Sequence, residues 1–249
     1  MLLLFRKIRQ TLLERKKISK YILYALGEIT LVVIGILIAV NLDNANQIRK
    51  DNIRSDIYLK RLLEDLEIMR LDAERAVEHN QVMIDASITT KNLLETGQLD
   101  PDEKAALDNY LYRFHQFTIN VQDAKSYLEM MSSGELSLIK NRWIRDTFQE
   151  LADYRDFLLF VGRSFDDQAL DDFEHLEKYV RFDIVQHRTD SSKVIPQYDF
   201  QAMSKDPVLI NVISKQSIYW HDAIFQHRRY LSLVKVLEDS VAKQVAMIR

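Results

Sequence analysis

Cysteine is absent from this 249-residue chain. That excludes a disulfide framework, a thiolate metal site and a cysteine nucleophile, and it leaves the redox compartment open. Glycine and proline are scarce, at five and three residues. All-β domains turn every ~8–12 residues and use both residues to do so, so scarcity favours long helices. The usual chemical signatures are missing as well. There is no G-x-S-x-G elbow, no Gly-rich phosphate loop and no H-E-x-x-H. The Glu-x-x-His pairs of a di-iron bundle are also lacking; Asp172-x-x-His175 comes nearest and occurs once. Neither an enzyme nor a bound cofactor or metal is expected.

What the chain does have is a lopsided charge. The formal charge is −3, but residues 1–20 hold seven cations (Arg6, Lys7, Arg9, Arg15, Lys16, Lys17, Lys20) against Glu14 alone. This basic end abuts a long apolar run, so lipid headgroups explain it better than nucleic acid, for which nothing else in the chain speaks. Within it, Leu4, Phe5, Ile8, Leu12 and Leu13 recur at helical intervals between cations. This reads as an amphipathic helix on the membrane surface.

Residues 21–42, YILYALGEITLVVIGILIAVNL, form the run itself. As a helix they would cover ~33 Å, against a hydrocarbon core of ~30 Å. Cations precede the run and mixed signs follow it, which places the N-terminus in the cytoplasm and residues 43–249 outside. A cleaved signal peptide is the alternative. The long basic lead, the length of the run and the lack of an A-x-A site near Ala39 favour an uncleaved anchor.

One stripe of the span is polar or small: Tyr21, Tyr24, Glu28, Gly35 and Ala39. Gly35 and Ala39 make a small-xxx-small pair that lets another helix approach. A carboxylate at the bilayer centre costs ~2.5 kcal/mol or more, reduced for Glu28 by its place in the cytoplasmic half. Three readings stay open. Glu28 is protonated or reaches the interface beside a tyrosine hydroxyl; it meets a polar group on a partner helix; or it relays protons with a partner span.

Beyond the span, no Gly or Pro interrupts residues 36–96. Leu59, Leu62, Leu66, Met69, Ala73 and Ala76 keep 3–4 spacing, which predicts one helix from the span to about Leu94, with a soft point at Asn41–Asn46. Gly97 is placed to cap it. Asp100-Pro101 starts a second helix that carries Leu107, Leu111 and Phe114 inward and stops near Thr118. A short helix over 123–132 closes at Gly134. The next is expected from Leu136 to Val185, bent at Gly162, with Ile139, Trp143, Phe148, Leu151, Phe157, Leu158 and Val161 in its core. A polar loop around Pro196 follows over 189–205. Asp206-Pro207 opens the last helix, whose apolar stripe includes Leu209, Val212, Ile213, Ile218, Trp220, Phe225, Leu231, Val234, Val236, Leu237 and Val241. Helices with one apolar stripe each must bury those stripes on one another. The expected fold is therefore all-α, one N-terminal transmembrane helix and then an elongated extracytoplasmic bundle.

Other candidates have plain readings. His221 and His227 are six apart on one helix, hence on different faces, and read as surface or singly bonded groups. The acidic set Asp166, Asp167, Asp171, Asp172, Glu174 and Glu177 lacks EF-hand spacing and reads as a solvated face. Tyr219, Trp220, Phe225 and Tyr230 read as core.

Three stretches resemble a known family: Phe5–Arg9 with Ser19–Ile29 and Leu31–Ala39, then Ser132–Asn141, then Asp206-Pro207. They are similar to an uncharacterised family of single-span membrane proteins from Bacteroidota. Members often carry Asn-x-Trp-Asn after the span, whereas Asn44-Ala45-Asn46 here lacks the tryptophan, an interfacial anchor. The resemblance implies an inner-membrane anchor with a periplasmic helical domain, and it supplies no activity. With the catalytic signatures missing and a polar, small-residue stripe in the span, the expected function is a non-catalytic interaction module. Its partners are the lipid bilayer and either another membrane protein or a second copy. A ligand-binding sensor acting through a partner is the alternative.

Overall fold

The computed structural model describes residues 18–114, 119–186 and 192–248. The amphipathic reading of residues 2–13 falls outside them, as does the expected helix end at Thr118. The chain divides into two compact units, Met1–Ser55 and Asp56–Arg249. Among the described residues, every element apart from one hairpin is helical.

Helix α1 runs over Ile18–Thr96. It stays helical through residues 41–46, where a soft point was expected. Asparagine costs only some tenths of a kcal/mol in a helix interior, and side-chain pairs take up the load just beyond. Gln47 donates to Asp51 at 2.9 Å, and Arg54 pairs with the same carboxylate at 2.8 Å. Gly97 ends α1 at φ +66°, its N–H on the Leu93 carbonyl, the left-handed cap its position predicts.

In the larger unit, helix α2 (Lys104–Arg113) begins after a turn at 101–103. Helix α3 (Lys125–Ser132) is only eight residues long. Ala124 has no side chain with which to cap it, so the cap comes from α1: Asp65 accepts from the Ser126 N–H at 2.6 Å. Gly134, at φ +75°, follows. The single long helix expected over 136–185 is instead three elements. A 3-10 turn covers Leu136–Leu138. Helix α4 covers Arg142–Leu176, with Asn141 Oδ1 accepting from the Trp143 N–H.

The third element is strand β1 (Val180–Gln186), which pairs antiparallel with β2 (Ser192–Tyr198), Val180 opposite Tyr198 and Phe182 opposite Pro196. This hairpin replaces both the expected helix end and most of the expected loop. Its β-branched residues favour extended backbone, and Pro196 is tolerated because each strand of a two-stranded ribbon keeps a free edge. Tyr198 ties the hairpin to α2 by donating to Asp108 at 2.7 Å. A short helix α5 (Phe200–Met203) leads to α6 (Pro207–Ile248), which starts at the Asp206-Pro207 signal.

Two cores form in this unit. In the first, Leu59, Leu62 and Leu66 of α1 join Phe148 of α4 and Tyr230 and Leu237 of α6. The second gathers Met83, Tyr110, Phe114, Leu176, Trp220 and Ile224. Ion pairs Arg70–Glu238 and Lys235–Glu74 fix α1 against α6. Gly162 does not break α4. It makes room instead, since a Cβ there would lie 3.3 Å from the Ile119 side chain. Five expected core residues are exposed: Trp143, Phe157, Ile218, Phe225 and Val236.

Candidate functional site

The span carries the first candidate. From Ala25, α1 holds a segment long and apolar enough to cross a membrane, and none of its most apolar window is buried. A soluble core helix of this composition would be covered; this one presents Leu23, Leu31 and Ile36 outward. Thr30 hides its hydroxyl on the Leu26 carbonyl at 2.8 Å, which suits lipid. Glu28 is half-buried, while Gly35 and Ala39 are open, with no atom within 4 Å of where a Gly35 Cβ would stand. Helical spacing puts Tyr24, Glu28, Gly35 and Ala39 on one stripe. The Tyr24 side chain itself is outside the described set.

The polar groups of the larger unit depart from their plain readings in several places. Of the acidic set, Asp172 points inward: it is 5% exposed and takes Lys215 at 2.5 Å. Burial, then the neighbouring Asp167, raise the Asp166 carboxyl above its usual range. Among the described residues no three metal-binding side chains come together. His227 is fully buried with Nδ1 on the Ala223 carbonyl at 2.7 Å, and burial pushes its pKa down, so it is held neutral. Trp220 and Tyr230 are core, as expected, and Tyr219 stacks on Phe165 at 5.2 Å; Phe225 is 65% exposed.

A His–Asp–Tyr group stands at the start of α6. Asp206 Oδ2 accepts from the Tyr179 hydroxyl at 2.7 Å and meets His175 Nε2 at 2.7 Å. Its Oδ1 accepts from the N–H groups of Val208 and Leu209. Such a trio invites a catalytic reading, but the carboxylate is fully engaged as a helix cap. Desolvation opposes its charge, yet the bonds from Tyr179, His175 and the two amides outweigh that and hold the carboxyl at about 2. A folded pKa below the unfolded value of ~3.9 means the cap's contribution is complete above that pH and lost as pH falls toward 2. Circular dichroism between roughly pH 4 and pH 2 is therefore expected to show α6 loosening in the native chain. In Asp206→Asn that part of the acid response should be gone.

Two of the surface depressions among the described residues are roomy. One, of about 780 Å³, lies at the C-terminal end of α1 and is lined by Asn92, Thr96, Gln98, Asp100, Glu103 and Gln201 among others. The other, of about 510 Å³, lies between α2 and β2 beside Asp108, Tyr112 and Pro196. Neither includes a histidine or a cation, and neither touches Trp143 or Trp220. Sequence reasoning missed the contacts made at a distance: Asp65 on α3, Asp172 with Lys215, and Asp206 with His175 and Tyr179. Only the Asp206-Pro207 cap leaves a local signal, because the other partners lie tens of residues apart.

Comparison of the chain with known family models, curated proteins and solved structures finds no match.

Proposed function

We propose that this chain is a single-span inner-membrane protein whose helical domain lies in the periplasm, and that it serves as a non-catalytic assembly module. Its span pairs with another transmembrane helix, from a partner protein or a second copy. One observation carries this reading: a stripe of Glu28, Gly35 and Ala39 in a helix otherwise clothed in exposed apolar side chains. Small residues let a second backbone approach, and intramembrane carboxylates characteristically face a helix bundle rather than lipid. The basic residues before the span and the mixed charges after it support the orientation. The sequence resemblance to anchored periplasmic proteins points the same way.

The test is to purify the tagged full-length chain from its native membranes in mild detergent, beside Glu28→Gln and Gly35→Leu. A defined complex is expected for the native chain, with co-purifying protein identified by mass, and both substitutions should weaken or abolish it. A lone protomer in all three preparations sinks the proposal.

A further inference from the structure

Helix α4 presents an apolar patch on its outward side. Phe157 and Phe160 are 46% and 63% exposed, and at three residues apart they are neighbours on the helix surface. The buried residues Leu151, Leu158 and Ala169 occupy the opposite side. Ser164, one turn beyond Phe160, gives its hydroxyl back to the Phe160 carbonyl at 3.2 Å and so adds little polarity to the patch.

The charge around this patch has one sign. Steps of four and three back from Phe157 reach Asp153, Glu150 and Asp146; steps of three and four on from Ser164 reach Asp167, Asp171 and Glu174. Such steps keep to one side of a helix, and all of these positions are exposed. None of the arginines of α4 falls on the stripe. Arg142 meets Asp146 from beside it, Arg155 binds Asp123 and Asp156, and Arg163 turns onto the Leu159 carbonyl. Among the described residues no cation pairs with Glu150, Asp167, Asp171 or Glu174.

This pattern selects the occupant. A second copy laid on the same face fails in both directions. In parallel each carboxylate meets itself; antiparallel about the phenylalanines, Glu150 meets Asp167 and Asp146 meets Asp171, and like charges face to face are costly. Anionic lipid headgroups are repelled for the same reason. What fits is an apolar centre with cations toward both ends. We propose that the outward face of α4 docks a basic amphipathic helix of another protein, its apolar centre on Phe157 and Phe160 and its lysines or arginines on the carboxylates at either side. From Asp146 to Glu174 the face is ~42 Å long at 1.5 Å per residue, so the docked helix has roughly 28 residues. This contact is separate from the pairing proposed for the span.

The probe is a synthetic helical peptide with leucines at its centre and lysines at 3–4 spacing on the same face toward both ends. It is titrated into the full-length chain in a non-ionic detergent and followed by the anisotropy of a label on the peptide. Saturable binding is expected, weakening as salt rises. Phe157→Ser with Phe160→Ser should lower the affinity at least about tenfold. Asp167→Asn with Asp171→Asn should lower it as well and flatten the salt dependence. Phe225→Ser is the control: that ring is 65% exposed on α6, and its loss should leave binding unchanged. The substituted positions are all exposed, so each variant is expected to keep the native circular dichroism spectrum. No binding of the basic peptide, equal binding by every variant, or equal binding of a peptide with glutamate in place of lysine overturns the proposal. So does a change in the size of the chain's own complex when the two phenylalanines are lost, which makes the occupant a second copy. Should a variant lose its spectrum, the comparison of the two peptides on the native chain decides.

Discussion

Replacing Trp220 by alanine is expected to destabilise the larger unit by about 3–5 kcal/mol, the range for deleting a large aromatic from a packed interior. Trp220 is fully buried, it meets Tyr110 edge-on, and it stands in a core that joins α1, α2, α4 and α6. Its loss would leave a hole between helices whose backbones are fixed elsewhere by ion pairs such as Arg70–Glu238. Partial collapse around the hole sets where in the range the value falls. The control is the other tryptophan. Trp143 is 47% exposed near the start of α4, so Trp143→Ala should change stability by no more than about 0.5 kcal/mol. Urea denaturation followed by far-ultraviolet circular dichroism measures both. Equal effects at the two positions would mean that the second core is not packed as described.

Residues 43–249, produced without the span, are expected to be soluble, strongly helical and cooperatively folded. Both cores draw on residues from Leu59 onward, and the compact unit begins at Asp56. About 200 residues suffice to bury a stable interior. Size-exclusion chromatography and a thermal melt test this directly. Aggregation would instead indicate that the exposed apolar residues on α1 (Ile57, Ile68 and Val82) need covering in the full-length protein. The outcome thus bears on whether the proposed assembly contacts end with the apolar segment of α1 or continue beyond it.

The helices were legible in the sequence because their determinants are local. Gly97 and Asp206-Pro207 mark ends by backbone geometry alone, and 3–4 spacing brings Leu59, Leu62 and Leu66 to one face. The hairpin was not legible on the same terms. Val180 to Gln186 extends an apparent helical pattern, and what makes it a strand is its pairing with β2 and the Tyr198–Asp108 bond. Periodicity also overstates the width of the buried stripe. Ile218, Phe225 and Val236 share one face of α6, and that face turns outward. The candidate stripe in the span came wholly from composition and spacing.

The borrowed cap on α3 has a consequence for the order in which the chain folds. Eight residues are too few to hold a helix alone in water, and the carboxylate that secures its first turn comes from Asp65, 61 positions earlier. Helix α3 therefore cannot act as an early nucleus: it must wait for α1 to arrive, a contact of high sequence separation and slow closure. Once docked, it has no independent way to open. Its amide protons should exchange with solvent at the rate of the first core that encloses it, so this short segment would report the lifetime of the whole unit.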